Sequence, residues 1–470
     1  MIRALECINK IVWGIPALLL VLGVGIFLSI RTGFAQVRLF PAALKAFVIQ
    51  FKTKDVSCDG VSPYQALCTA LAATVGTGNL AGVAGAIAIG GPGALFWMWV
   101  CAFFGMVTKF AEAVLAVKYQ VRCPSGELQG GPMHMIEQGM GRRWRWLACL
   151  YCFFGVVAAF GVGNATQINA VIGGINSAAN VFGIQGSDKG NMIVGIGLAV
   201  LICSMLLGGA KRIGQAAEKL VPFAAGLYIL LCLGVLAVRF DQIPAVVSVI
   251  LRGAFSPRAV TGGVVGSGFQ ALRIGASRGV FTNEAGMGTA AIAHGSANVK
   301  SPVQQGLMGI VEVFLDTVVI CTLTGLVILC SGIVIPYGTD TGIALTADAF
   351  SSVYGSWVKI LIALTVSCLA FATVLGWGLY GIRCAQYLFG ENSGKWFVIL
   401  QGITAALSAV LKTGTVWLMA ETVNGLMLIP NLIALTFLSG GIFHKSQKKI
   451  TEIPSYLGDS YSKRISPKDL

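Results

Sequence analysis

Apolar stretches of about 20 residues recur along the chain and are divided by shorter polar segments, the pattern of a protein that crosses a bilayer many times. The windows lie near residues 12–30, 65–90, 93–117, 146–182, 190–208, 214–238, 261–297, 303–332, 356–382, 395–412 and 415–440. They predict an all-α polytopic membrane protein with about eleven transmembrane helices. The windows at 146–182 and 261–297 are long enough to be broken or bent. Residues 1–443 read as one transmembrane domain and 444–470 as a polar tail outside the membrane. The first apolar run, IVWGIPALLLVLGVGIFLSI, exceeds the 7–15 residues of a signal-peptide core and is expected to be a retained span.

Two windows hold residues that a straight apolar helix resists. In TVGTGNLAGV, Thr74 to Val83, Gly76, Gly78 and Gly82 stand among Thr74, Thr77 and Asn79. In GFQALRIGASRGVFTNEAGMGTAAIAH, Gly268 to His294, glycines again come at short intervals with polar residues between them. The second window begins five spans after the first. Interrupted helices 2 and 7 at matching positions predict two five-helix repeats, about 65–238 and 261–440, preceded by one extra helix. Because five is odd, the halves would run in opposite senses through the membrane. Unwound backbone at this depth is costly unless it binds something, and Thr74, Thr77 and Asn79 add the hard oxygens that a small alkali cation prefers. The alternative is close helix packing at Gly78 and Gly82, with Asn79 as an interhelical hydrogen bond.

Composition and charge narrow the class. Of 470 residues, 56% are hydrophobic and 11% charged, and the mean hydropathy is +0.80, which excludes an ordinary soluble protein. The net charge of +14 forms no patch with interleaved aromatics, which argues against nucleic acid as a partner. Instead the basic residues cluster in alternate loops: Arg31, Arg38, Lys45, Lys52 and Lys54, then Lys118, Arg122, Arg142, Arg143 and Arg145, then Lys211, Arg212 and Lys219. The positive-inside rule then predicts an N-terminus outside and a C-terminus in the cytoplasm. The expected setting is a plasma membrane, a bacterial inner membrane first. The 239–260 loop, with Arg239, Arg252 and Arg258, fits least well. The 13 cysteines show no CxxC or Cys/His ligand spacing and read as buried thiols.

Other polar residues inside the spans are candidates for function. Asp316 follows Glu312 by one turn and is either a cation-coupling carboxylate or a structural one paired with Arg273 or Arg278. Lys109 and Glu112 are three apart and are predicted to pair on one helix face. Thr373 and Trp377, at i and i+4, share a face that suits a substrate wall. Gln167 could reach a ligand's amine or stitch helices together. GASRG, Gly275 to Gly279, matches a hydrolase nucleophile elbow but lacks the strand-turn-helix that motif needs. GTGNLAG has neither the spacing nor the βαβ setting of a dinucleotide loop. No enzyme constellation remains.

Together, GGPGALFWMWVCAFFG (Gly90 to Gly105), TVGTGNLAGVA, TKFAEAVLAVKY, RGVFTNEAGMGTAAIAH, FLDTVVICT and VLGWGLYG resemble the alanine or glycine:cation symporter family, the sodium:alanine symporters, over nearly the whole chain. The resemblance implies a LeuT-like fold and Na⁺-coupled uptake of a small neutral amino acid, alanine or glycine first. It further implies that Thr77 and Gly78 offer N–H groups to the substrate carboxylate, with Asn79 contacting sodium or substrate. A second sodium site would combine the Ala72 and Val75 carbonyls with Thr373. Gln167, Thr373 and Trp377 would line the substrate pocket, and a break across Phe269–Ser277, including Gly275, would form the opposite wall. Ala372 departs from the Ser or Thr expected there, and Ile382 from an expected Glu. Gly381 would leave room for a larger substrate if it faces the pocket. Proton coupling in the same fold is the nearest competing expectation, and a channel or non-transporting sensor the competitor of another class.

Overall fold

The computed structural model describes residues 9, 11–53, 60–124, 126–339, 342–410, 418–419 and 421–440. The expected polar tail, 444–470, and the basic residue Lys54 lie outside them. Among the described residues the regular structure is helical apart from one short hairpin, β1 (Val121–Arg122) with β2 (Leu128–Gln129).

In chain order the main helices begin with α1 (Ile15–Thr32), α2 (Phe40–Thr53), α3 (Pro63–Thr74), α4 (Val83–Gly90) and α5 (Ala94–Lys118). Next come α6 (Arg145–Phe160), α7 (Thr166–Val181), α8 (Asp188–Leu206), α9 (Gly209–Val238) and α10 (Ile243–Phe255). The second half holds α11 (Gly268–Asn283), α12 (Thr289–His294), α13 (Pro302–Val313), α14 (Thr322–Cys330) and α15 (Gly342–Tyr354). It ends with α16 (Val358–Phe389), α17 (Ser393–Ser408) and α18 (Glu421–Gly440). Among the described residues eight helical stretches are long and apolar enough to cross a membrane, or nine if the bent pair α3 and α4 counts as one. Two of them run through π-helical turns, α6 to α7 across Gly161–Ala165 and α13 to α14 across Phe314–Cys321. The windows expected at 261–297 and 395–412 take the form of the shorter helices α11, α12 and α17.

Three helices occupy segments expected to be loops: α2, α10 and α15. α10 has 13 residues and α15 has 13, too short for a bilayer core, which is why no long apolar window marked them.

Helix starts follow from local chemistry. Ser62 caps α3 by accepting the Gln65 N–H while the Gln65 side chain accepts the Ser62 N–H, and Pro63 fills the first turn. α5 and α16 form the interior. α5 packs on α11, α12 and α13, and α16 on α3, α6, α7 and α9. α8 lies at the periphery, with Ile193 and Val200 exposed. At one end of the bundle the segments flanking the two glycine-rich windows are joined. Val61 and Ala297 form an isolated parallel bridge, with Asn298 N–H on the Val61 carbonyl at 3.0 Å. Gln120 Nε2 donates to the Gly295 and Ala297 carbonyls at 2.9 and 2.8 Å.

Candidate functional site

α3 ends at Thr74, Val75 turns extended with ψ 90°, and the helix resumes through the π-turn Gly78–Gly82 at an angle of 48°. Asn79 braces this gap. Its Oδ1 accepts the Gly76 N–H at 2.9 Å, and its Nδ2 donates to Asp316 Oδ1 at 2.6 Å and to the Asp316 carbonyl at 3.3 Å. Asp316 Oδ2 accepts from Thr317 Oγ1 at 2.8 Å, which in turn accepts from Asn283 Nδ2 at 3.1 Å. All of these groups are buried, and each polar atom finds a partner, as a low-dielectric interior demands.

The other expected residues converge on the same gap. Thr77 Oγ1 donates to Gln167 Oε1 at 3.1 Å, and Gln167 Nε2 donates to the Val162 carbonyl at 3.1 Å. Thr373 Oγ1 donates to the Ala72 carbonyl at 2.9 Å, so the α16 hydroxyl reaches the end of α3. Thr74 instead bonds back to its own helix, at the Ala70 carbonyl, 3.2 Å away. Gly76 is a glycine because a Cβ there would come within 2.5 Å of Thr373 Oγ1. Trp377 is fully buried against Gly163, where no side chain fits, and its Nε1 donates to Glu284 Oε1 at 2.8 Å.

The second gap lies elsewhere than expected. Phe269 to Ser277 is regular helix within α11, and the interruption between α11 and α12 spans 284–288. Three of its five residues have positive φ: Glu284 at 55°, Gly286 at 90° and Gly288 at 76°. The glycines read as breakers are packing contacts: Gly275 abuts the Ala94 backbone and Gly279 the Met98 backbone of α5. Phe269 is half exposed. Ser277 lines a cavity of ≈ 180 Å³ with Arg273, Arg278 and Glu421, away from Asn79. The wall facing the first gap comes from Phe281 and Thr282, whose atoms lie 3.5 and 3.3 Å from where a Cβ on Gly78 would stand.

Several expected pairings are also replaced. Arg278 pairs with Glu421 rather than with Asp316. Lys109 pairs with Glu312 of the neighbouring span at 3.2 Å, not with Glu112, because Glu112 is engaged by the backbone of 286–288. Glu312 also meets His294 Nε2 at 2.9 Å. These charges are fully buried, and pairing across helices is what makes them tolerable there. Gly381 faces Phe397 and Ala159, which fill its space, so it opens no room for a larger substrate.

The whole-chain comparison decides the family. Residues 1–452 match the model of the sodium:alanine symporter family. The chain belongs to that family. It is 42% identical to the sodium/alanine symporter AgcS of Methanococcus maripaludis, over 95% of this chain and 96% of that protein. It is 41% identical to an uncharacterized transporter of Haemophilus influenzae, over 92% of each. Its fold matches the crystal structure of MhsT in complex with L-phenylalanine at a TM-score of 0.54 and 15% identity, over 79% of this chain and 89% of that one. This member of the sodium:alanine symporter family is therefore a multi-pass membrane protein with a LeuT-like fold. It is a cation-coupled amino-acid symporter and not an enzyme.

In this symporter Ala72, Gly76, Thr77, Gly78, Asn79, Gln167, Asp316, Thr373 and Trp377 gather at one buried locus. Phe269, Gly275 and Ser277 do not. Sequence reasoning missed Phe281, Thr282, Asn283 and Glu284. The signal was present in NEAGMG, where two glycines two residues apart follow a run of polar residues. Two such glycines at positive φ make a turn, whereas Gly268, Gly275 and Gly279 sit at helical packing positions.

Proposed function

We propose that this symporter couples the inward sodium gradient to uptake of a small neutral amino acid, alanine or glycine first, by alternating access. The observation that carries the reading is the gap at Gly76, buried at the meeting of five helices and braced by an Asn–carboxylate pair. The amides of Thr77 and Gly78 begin the half-helix beyond the gap, where N–H groups lack intrahelical acceptors and the helix dipole favours a carboxylate. Gln167, bonded to Thr77, and Trp377, bonded to Glu284, stand beside the gap as its proposed substrate wall. Phe281 and Thr282 pack close to Gly78, which favours a substrate with a small side chain.

Sodium is held as cargo by oxygens. Asn79 Oδ1 has a second lone pair beside its bond to Gly76, and Asp316 brings carboxylate oxygens to the same place. A second ion suits the Ala72 and Val75 carbonyls with Thr373 Oγ1. Binding free energies are reciprocal, so sodium and amino acid tighten each other by the same factor. The two gaps, in spans that begin near 65 and 261, support a pair of inverted five-helix repeats after α1, about 65–238 and 261–440. The loop charges support an external N-terminus and a cytoplasmic C-terminus, and a bacterial relative supports a bacterial inner membrane as the setting.

Uptake of labelled alanine into proteoliposomes with and without a sodium gradient tests this. Sodium-driven accumulation with counterflow is the expected result, and binding without counterflow would make the protein a sensor. The burial of Asp316 among neutral partners favours proton coupling as the second reading. Accumulation driven by a pH gradient in sodium-free buffer would select it.

A further inference from the structure

The two gaps use their backbone amides differently. Across 284–288 every amide has an acceptor inside the protein. Glu284 N–H bonds the Val280 carbonyl at 2.8 Å, Ala285 N–H bonds Asn283 Oδ1 at 2.9 Å, and Met287 N–H bonds the Glu284 carbonyl at 3.1 Å. The amides of Gly286 and Gly288 both bond Glu112 Oε1, each at 3.0 Å. The same oxygen accepts from Asn431 Nδ2 at 2.6 Å, and that nitrogen also donates to the Gly286 carbonyl at 2.8 Å. Glu112 and Asn431 are fully buried and come from α5 and α18. Gly288 packs so closely on Asn431 and Pro132 that no side chain fits.

We propose that Glu112, seconded by Asn431, is a positioning residue for transport. Its carboxylate occupies the place at the second gap that a ligand's carboxylate would otherwise take. It thereby fixes the 284–288 turn, so that Phe281 and Thr282 face Gly78 and Glu284 meets the Trp377 indole. Two amides that would be costly to leave unpaired in an apolar interior are satisfied by the protein itself. The substrate carboxylate is left to the first gap alone. Glu112 acts here as an acceptor rather than as the counter-charge of Lys109, since Lys109 already holds Glu312.

The transport arm of the test rests on the alanine-symport reading, and the structural arm does not. Purified wild type, Glu112→Gln, Glu112→Ala and Asn431→Ala would be compared by hydrogen exchange over 284–290 and by the KM and maximal rate of alanine uptake. Glu112→Gln keeps an acceptor oxygen, so its exchange and KM stay within about twofold of wild type. Glu112→Ala speeds exchange of the segment about tenfold and raises KM, with Asn431→Ala between the two. Unchanged exchange and KM in Glu112→Ala would overturn the proposal. So would a Gln variant as impaired as the Ala variant, which would make the charge the working feature. If Glu112→Ala does not fold, unchanged exchange in Asn431→Ala together with an impaired Gln variant overturns it. Wild-type vesicles without sodium-driven alanine uptake would remove the functional reading, while the exchange data still decide the brace.

Discussion

Asn79 meets two demands with one amide group: it satisfies the Gly76 N–H that the gap exposes and holds the Asp316 carboxylate across helices. Its removal therefore acts on both sides of the proposed sodium site. Asn79→Ala is expected to raise the sodium concentration needed for half-maximal alanine uptake by about tenfold, the scale of one charge-assisted hydrogen bond. A sodium dependence equal to wild type would take Asn79 out of the site. That this polar side chain would be engaged was legible in sequence, as a ligand or as an interhelical hydrogen bond, and the bond to Asp316 is of the second kind. Its partner was not. Asp316 is 237 residues away, and the arginines on the neighbouring span were the nearer guess by charge alone. Only the packing shows that Arg278 is held by Glu421.

Among elements, the glycines separate into breakers and packers, and sequence shows both as the same letter. Gly76 sits in the gap with Thr373 Oγ1 in the space a Cβ would take, whereas a Cβ on Gly82 would meet only the Thr282 methyl, at an ordinary 3.9 Å. Gly76→Ala is expected to reduce alanine uptake about tenfold or more, and Gly82→Ala to leave it within about twofold, at equal amounts of folded protein. Equal activity of the two variants would show that the gap tolerates side chains. The same ambiguity explains the misplaced second gap. Gly275 and Gly279 have helical backbone and touch α5, so their spacing mimics a break that begins only at Glu284. Nine of the eleven expected span positions meet a long apolar helical stretch among the described residues, because bilayer thickness imposes a length. The helices α2, α10 and α15 were not, because nothing in a short segment's length says helix.

At the scale of the molecule, the loop charges and the helix order make a topology that labelling can check. Val334, between α14 and α15, is 91% exposed, and Asn392, between α16 and α17, is also exposed. With an external N-terminus, a cysteine at 334 reacts with a membrane-impermeant maleimide in intact cells, and one at 392 reacts only after permeabilisation. The reversed pattern would invert the proposed orientation. The bridge between Val61 and Ala297 adds a matter of timing. It clasps the ends of both interrupted spans with a few backbone and amide hydrogen bonds, each worth about 1 kcal/mol net. Local openings of this kind fall on the microsecond-to-second scale, so a few such bonds are compatible with a clasp that opens once per transport cycle. Made permanent by a short thiol cross-linker between cysteines at 61 and 297, it should stop the transport cycle while sodium and alanine still bind. Uptake that continues through the cross-link would show that this end of the bundle stays shut throughout each turn of the pump.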